Sequence, residues 1–142
     1  MASPVNDRNR SPAGDQSDGA RVYVTNACSG STSVINASTL TVTKTIATSS
    51  GRGVAITLNG ARAYVTNTAS SSVSVIDTAT NKVTATIPVG GGPEGVAITP
   101  YGDHVYVTAT KAGGVAVIDT STNTVTKTVD RVGLAPVGVA IG

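Results

Sequence analysis

The chain's 142 residues give room for one domain with a real core, provided its elements can stack. Hydrophobic residues make up 39%, aromatic residues only 3% with no Trp or Phe, and there are 16 Gly, a mixture that disfavours long helices and favours strands and turns. With 13% charged residues, a net charge of +2 and one cysteine, the chain shows no polyanion-binding charge and cannot form an internal disulfide; Cys28 leaves the redox compartment undecided.

Residues 1–19, MASPVNDRNRSPAGDQSDG, are dense in Ser, Asp, Asn, Arg, Pro and Gly, too polar to offset the entropy of ordering, and are predicted to be a disordered tail. They lack the apolar core of a secretory signal, and nowhere does an apolar run approach the roughly 20 residues of a membrane span. As read, the chain carries no address, or else it is a piece of a longer one.

Short runs of Val, Ile, Thr and Tyr between turn residues follow, none with helical spacing. Residues 21–25, 33–36 and 41–46 predict three strands. Gly53–Thr57, Arg62–Thr66, Val73–Asp77 and Lys82–Pro88 predict a four-stranded antiparallel meander, and a second runs from Gly95 to Val129. Gly138–Ile141 repeats the GVAI text of a first strand with nothing after it. Leu58-Asn59-Gly60 and Pro100-Tyr101-Gly102-Asp103 signal hairpins, while Asp77 and Asp119 (Asn36 in the first copy) suit turns in which the side chain bonds backbone amides two residues on.

The text recurs: Tyr23, Tyr64 and Tyr106 each open a Tyr-Val-Thr triplet, 41 and then 42 residues apart. A four-strand unit with a period of about 40–45 residues is the pattern of propeller blades. The fold class predicted is all-β: β-propeller blades, about three, with strands 21–46 and 138–141 sharing one blade and the others at 53–88 and 95–129. Joining the last strand to the first blade resembles the strand exchange that closes many propellers.

The phrases YVTN, SVIDTATNKVTATIPVG and GPEGVAITP resemble the YVTN-type β-propeller repeat over residues 20–142. The resemblance implies an all-β propeller, commonly of about seven blades and often exported or on the cell surface, related to propellers that include lactonases. Three blades is fewer than that family's usual ring, and Thr110–Gly114 departs from its Asn-rich hairpin. A blade needs a neighbour on each face, and rings normally hold about 4–8 blades. Three blades in an open arc leave two bare apolar faces, so the chain is expected to self-associate or to be joined by further blades. Two arcs end to end would make a six-bladed ring with two-fold symmetry.

Repetition also filters the candidate chemistry. Tyr23, Tyr64 and Tyr106 read as packing groups between blades with a polar tip, and Asp77 and Asp119 as turn formers. Glu94, Asp103 and Asp130 are left over. His104, the one histidine, falls in a hairpin turn; it offers too few partners for a zinc site and no supported pairing with Cys28 for nucleophilic catalysis. Gly90-Gly91-Gly92 lacks the Lys and the following helix of a phosphate loop. Antiparallel order puts Arg52, Glu94, Asp130 and Arg131 on one rim with Asn26, Cys28, Asn67 and Lys111. Those four charged residues are the candidate ligand-binding set, solvated loop charges being the plainer reading.

No catalytic residue, metal or cofactor is expected. The reading is a non-catalytic module for protein or ligand interaction and assembly. The alternative is a lactonase-like propeller enzyme or subunit, with Arg52, Glu94 or Arg131 at the channel mouth of a completed ring. Nucleic-acid binding is not expected, since no basic stripe is interleaved with aromatics.

Overall fold

The computed structural model describes residues 21–142, and the tail predicted at residues 1–19 lies outside the described residues. Eleven strands form three antiparallel sheets, with no helix among them. The first sheet is β1 (Arg21–Asn26), β2 (Ser31–Asn36) and β3 (Thr41–Ala47), in that order. The second is β4 (Gly51–Ile56), β5 (Arg62–Asn67), β6 (Ser72–Asp77) and β7 (Lys82–Pro88), and the third is β8 (Pro93–Ile98), β9 (His104–Ala109), β10 (Gly114–Asp119) and β11 (Thr124–Val129). Each sheet is a meander of sequence neighbours, the arrangement of a propeller blade.

The repeat reaches down to the irregularities. The ladder slips between Val34 and Ile35, between Val75 and Ile76, and between Val117 and Ile118, one equivalent bulge in each sheet. The innermost strands slip between Gly51 and Val54 and between Pro93 and Val96, leaving Arg52-Gly53 and Glu94-Gly95 out of the ladder. Turns repeat as well. Asp77 Oδ1 accepts from the Ala79 amide and Asp119 Oδ1 from the Ser121 amide, both at 2.8 Å, and each turn closes on an Asn with positive φ, Asn81 at 56° and Asn123 at 54°. Asn tolerates that left-handed conformation better than most residues. In the first sheet Leu40 stands there with φ 56°.

The core sits between blades. Tyr23, Val34 and Ile46 of the first sheet pack on Ala63, Val65 and Ile76 of the second. On the opposite face of the second sheet, Tyr64, Val73, Val75 and Ile87 pack on Val105, Val107, Ala116 and Ile118 of the third. Alternate residues of a strand point to opposite faces, so β5 and β6, enclosed on both sides, are buried almost along their full length. Outer strands β3, β7 and β11 are mostly exposed and carry Lys44, Lys82 and Lys127, charges that discourage edge-to-edge pairing. Bare sheets cannot bury this surface alone, and the packing of neighbour on neighbour is what holds the arc together.

One difference from the sequence expectation stands out. Residues 138–141 form no ladder with β1, and the first sheet has three strands among the described residues. Pro136 and Val137 lie instead against the third sheet, where the hydroxyl of Thr110 donates to the Pro136 carbonyl at 2.8 Å and that of Thr108 to the Val137 carbonyl at 2.9 Å. The GVAI text marks a first strand without saying whose. Its hydrogen bonds put it where the first strand of a following blade would start.

Candidate functional site

The seams carry a repeated polar network that the sequence reading did not single out. Thr66 Oγ1 accepts from the Gly53 amide of its own sheet at 2.8 Å and donates to the Glu94 carbonyl of the next sheet at 2.6 Å. Thr68 Oγ1 adds a bond to the Pro93 carbonyl at 2.6 Å. One hydroxyl therefore closes the bulge of one innermost strand and holds the next. Thr108 repeats the first arrangement, accepting from the Gly95 amide at 2.8 Å and donating to Val137. Thr25 donates to the Arg52 carbonyl at 2.9 Å. Among the described residues its oxygen accepts nothing, because no innermost strand stands beside β1. The legible signal was the third letter of Tyr-Val-Thr, which at Thr66 and Thr108 follows by 13 residues a glycine, Gly53 or Gly95, that opens a GVAI text.

A second set spans the opposite end of each seam. Tyr23 OH donates to Asn81 Oδ1 at 2.7 Å and Tyr64 OH to Asn123 Oδ1 at 3.1 Å. Arg21 Nη1 and Arg62 Nη1 donate to the carbonyls of Thr78 and Thr120, at 2.5 and 3.1 Å. Burial raises the pKa of both phenols above the ordinary 10.0, so they stay protonated and able to donate. In the third sheet His104 and Tyr106 occupy the corresponding places, with no following Asn or Thr turn to meet them.

The outward faces at the two ends of the arc carry the positions that meet across the internal seams. The first sheet's outward face presents Val22 and Val24, 46% and 39% exposed, where Ala63 and Val65 of the second sheet are fully buried. The third sheet's outward face presents partly buried Tyr106 and half-exposed Val129 where Tyr64 and Ile87 are buried.

Of the four charged residues singled out in the sequence, the structure brings together two pairs. Arg52 and Glu94, at equivalent bulge positions of β4 and β8, approach to 4.0 Å across the seam. That pair is half-exposed and worth little to stability. Asp130 and Arg131 line an open pocket of about 640 Å3 with Ala112, Gly113, Gly133 and Leu134. Neither Arg52 nor Glu94 lines it. Arg131 has φ 59°, and Leu134 is fully exposed.

His104 Nδ1 lies 3.6 Å from Asp103 Oδ2, both side chains largely in solvent. The Thr99 hydroxyl, donating to Asp103 Oδ1 at 2.5 Å, is the main cause that lowers the Asp103 pKa. This is turn chemistry of the same kind as Asp119, whose pKa is lowered chiefly by its bond from Ser121. Among the described residues no three His, Cys, Asp or Glu side chains converge as a metal site would require, and no helix is long and apolar enough to cross a membrane. Cys28 is free and exposed.

Comparison with known proteins agrees with this architecture. The family model for YNCE-like β-propellers matches residues 50–141. Among solved structures, hydrazine synthase from Kuenenia stuttgartiensis superposes with a TM-score of 0.82 at 30% sequence identity, over 85% of this chain and 35% of that one. Dihydro-heme d1 dehydrogenase NirN, in complex with DHE, superposes with a TM-score of 0.67 at 17% identity, over 81% of this chain and 25% of that one, a likeness of fold alone. The chain therefore spans about a third or less of the length of these two structures. No curated protein matches it.

Proposed function

The chain belongs to the YNCE-like β-propeller family, and we propose that it acts as an interaction and assembly module, its three sheets supplying part of a propeller ring that further blades complete. One observation carries this reading: the outward faces of the first and third sheets are complementary halves of the seam found twice inside the chain. Val22 and Val24 at one end, with Tyr106 and Val129 at the other, leave apolar surface uncovered that the internal seams bury. A soluble protein keeps such contiguous patches small unless they bind something. That the chain covers only 35% and 25% of the two solved structures compared above supports the same view, since in both the corresponding region is one part of a longer chain.

Interaction at the rim is the second half of the proposal. The pocket offers both signs of charge, from Asp130 and Arg131, beside exposed Leu134, and Arg52 with Glu94 adds a separate charged pair, suiting a polypeptide or small ligand with mixed polar and apolar groups. No acid–base pair is buried among these side chains, so they are read as binding groups without a catalytic role.

The test is the concentration dependence of stability. Association that covers the end faces stabilises the folded state by mass action, so the melting temperature should rise as protein concentration is raised a hundredfold. A melting temperature independent of concentration, with one cooperative transition, would overturn the proposal.

A further inference from the structure

Resting on that reading of the chain as an assembly module, we infer that the covering partner is a second copy of this chain and that the two copies exchange a strand: residues 136–141 of each complete the three-stranded sheet β1–β3 of the other.

The register follows from the repeat. Pro93, Val96, Ala97 and Ile98 pair with Ala109, Val107, Tyr106 and Val105. Gly51, Val54, Ala55 and Ile56 pair in the same order with Asn67, Val65, Tyr64 and Ala63. The C-terminal segment carries the same text, Pro136-Val137-Gly138-Val139-Ala140-Ile141, and β1 carries the same partners in Asn26, Val24, Tyr23 and Val22. Thr108 and Thr110 already hold this segment by its Val137 and Pro136 carbonyls, as Thr66 and Thr68 hold Glu94 and Pro93. It is therefore placed as the innermost strand of the blade after the third sheet. Among the described residues no outer strand stands beside this segment, and no inner strand stands beside β1. Placing one copy's first sheet after the other copy's third sheet satisfies both. The amide of Gly138 then meets Thr25 Oγ1 of the second copy, completing the relay that Thr66 and Thr108 show in full.

Within one chain this pairing is out of reach of the arrangement seen, because the first and third sheets flank the second on opposite faces. For a ring made from the three described sheets alone the copy number is two, since propellers close with about 4–8 blades and six is the one multiple of three in that window. A head-to-tail contact that closes after two copies gives a two-fold ring with two identical seams. Leu40 stands where Asn81 and Asn123 accept from the tyrosine hydroxyl, and His104 stands where Arg21 and Arg62 donate to the turn carbonyl, so the side-chain hydrogen bonds of the internal seams are not reproduced at this end.

The chain contains its own reporter. Ala135, with φ 51°, is the equivalent of Gly92, with φ 64°, and Cys28 is the equivalent of Lys111. A Cβ built at Gly92 would lie 3.2 Å from Lys111 Cγ. A cysteine at 135 therefore meets Cys28 of the other copy at disulfide distance. The experiment uses the full chain with Ala135→Cys, oxidised mildly and run on a non-reducing gel beside wild type and the double variant Ala135→Cys, Cys28→Ser, with solution mass measured by light scattering. The expected result is a two-chain species linked through Cys28 and position 135, lost on reduction and absent from both controls. A disulfide between Cys28 and position 135 within one chain would overturn the inference in favour of closure of each chain on itself. A dimeric mass with no such disulfide would overturn strand exchange while leaving assembly intact. A monomeric mass would remove both.

Discussion

Thr66→Val is the sharpest test of how the blades are joined. Thr66 is fully buried, and its hydroxyl takes the Gly53 amide at 2.8 Å and gives to the Glu94 carbonyl at 2.6 Å. Valine keeps the β-branched shape and a strong strand preference. What it removes is both bonds, each worth about 0.5–1.5 kcal/mol net, so the loss is about 2 kcal/mol. For a domain of this size, with an unfolding entropy of about 2.1 cal/mol/K per residue, that lowers the melting temperature by about 8 °C. Thr66→Ser keeps the relay and loses a methyl, about 0.8 kcal/mol. Thr43→Val is the control: on outer strand β3 its hydroxyl makes one long bond, 3.3 Å, to the Val34 carbonyl. Thermal unfolding followed by far-UV circular dichroism should rank Thr66→Val as the most destabilised of the three. If Thr66→Ser costs more than Thr66→Val, strand propensity and packing dominate and the relay carries no weight.

Other outcomes follow from the same geometry. In Gly53→Ala the new Cβ would sit 2.5 Å from the Glu94 carbonyl, a backbone atom that cannot step aside, so the seam between second and third sheets should open, with a loss of more than about 2 kcal/mol in denaturant titration. In Gly95→Ala the clash is with the Val137 carbonyl, so limited proteolysis should cut within residues 130–142 faster than in wild type, while hydrogen exchange shows the amides of β9 and β10 still protected. Burial raises the Tyr64 pKa, so the folded state binds the phenol proton more tightly than the unfolded one. That stability is complete below the ordinary value of 10.0 and is lost as pH rises through the higher folded value, and a stability profile above pH 10 should fall less steeply in Tyr64→Phe than in wild type. Leu40→Asn relieves a branched apolar residue of its left-handed backbone, φ 56°, and should stabilise the protein by about 0.5–1 kcal/mol in the same titration.

The blades were legible because three signals agree in each copy: alternation in the strands, Asp or Asn at the turns, and the constant spacing of Tyr23, Tyr64 and Tyr106. Local chemistry determines all three. The place of residues 138–141 was not legible, for Gly-Val-Ala-Ile is the text of an innermost strand whichever blade it completes. Only the bonds from Thr108 and Thr110 decide between them. Antiparallel order was enough to gather Arg52, Glu94, Asp130 and Arg131 at strand entries, but not to separate them into a cross-seam pair and a pocket. That division depends on the backbone path from Asp130 to Pro136, through positive φ at Arg131 and Ala135 that nothing in those residue types announces. The threonine relay was overlooked because Thr is abundant and β-branched, and a strand accounts for it without any hydrogen bond.

The measurement that bears most directly on the account is the solution mass of the full chain by light scattering over a range of concentrations. End faces that are halves of one seam predict a dimer, twice the 14.0 kDa of the chain, dissociating on dilution. A cooperatively folded species of 14.0 kDa at every concentration would contradict it.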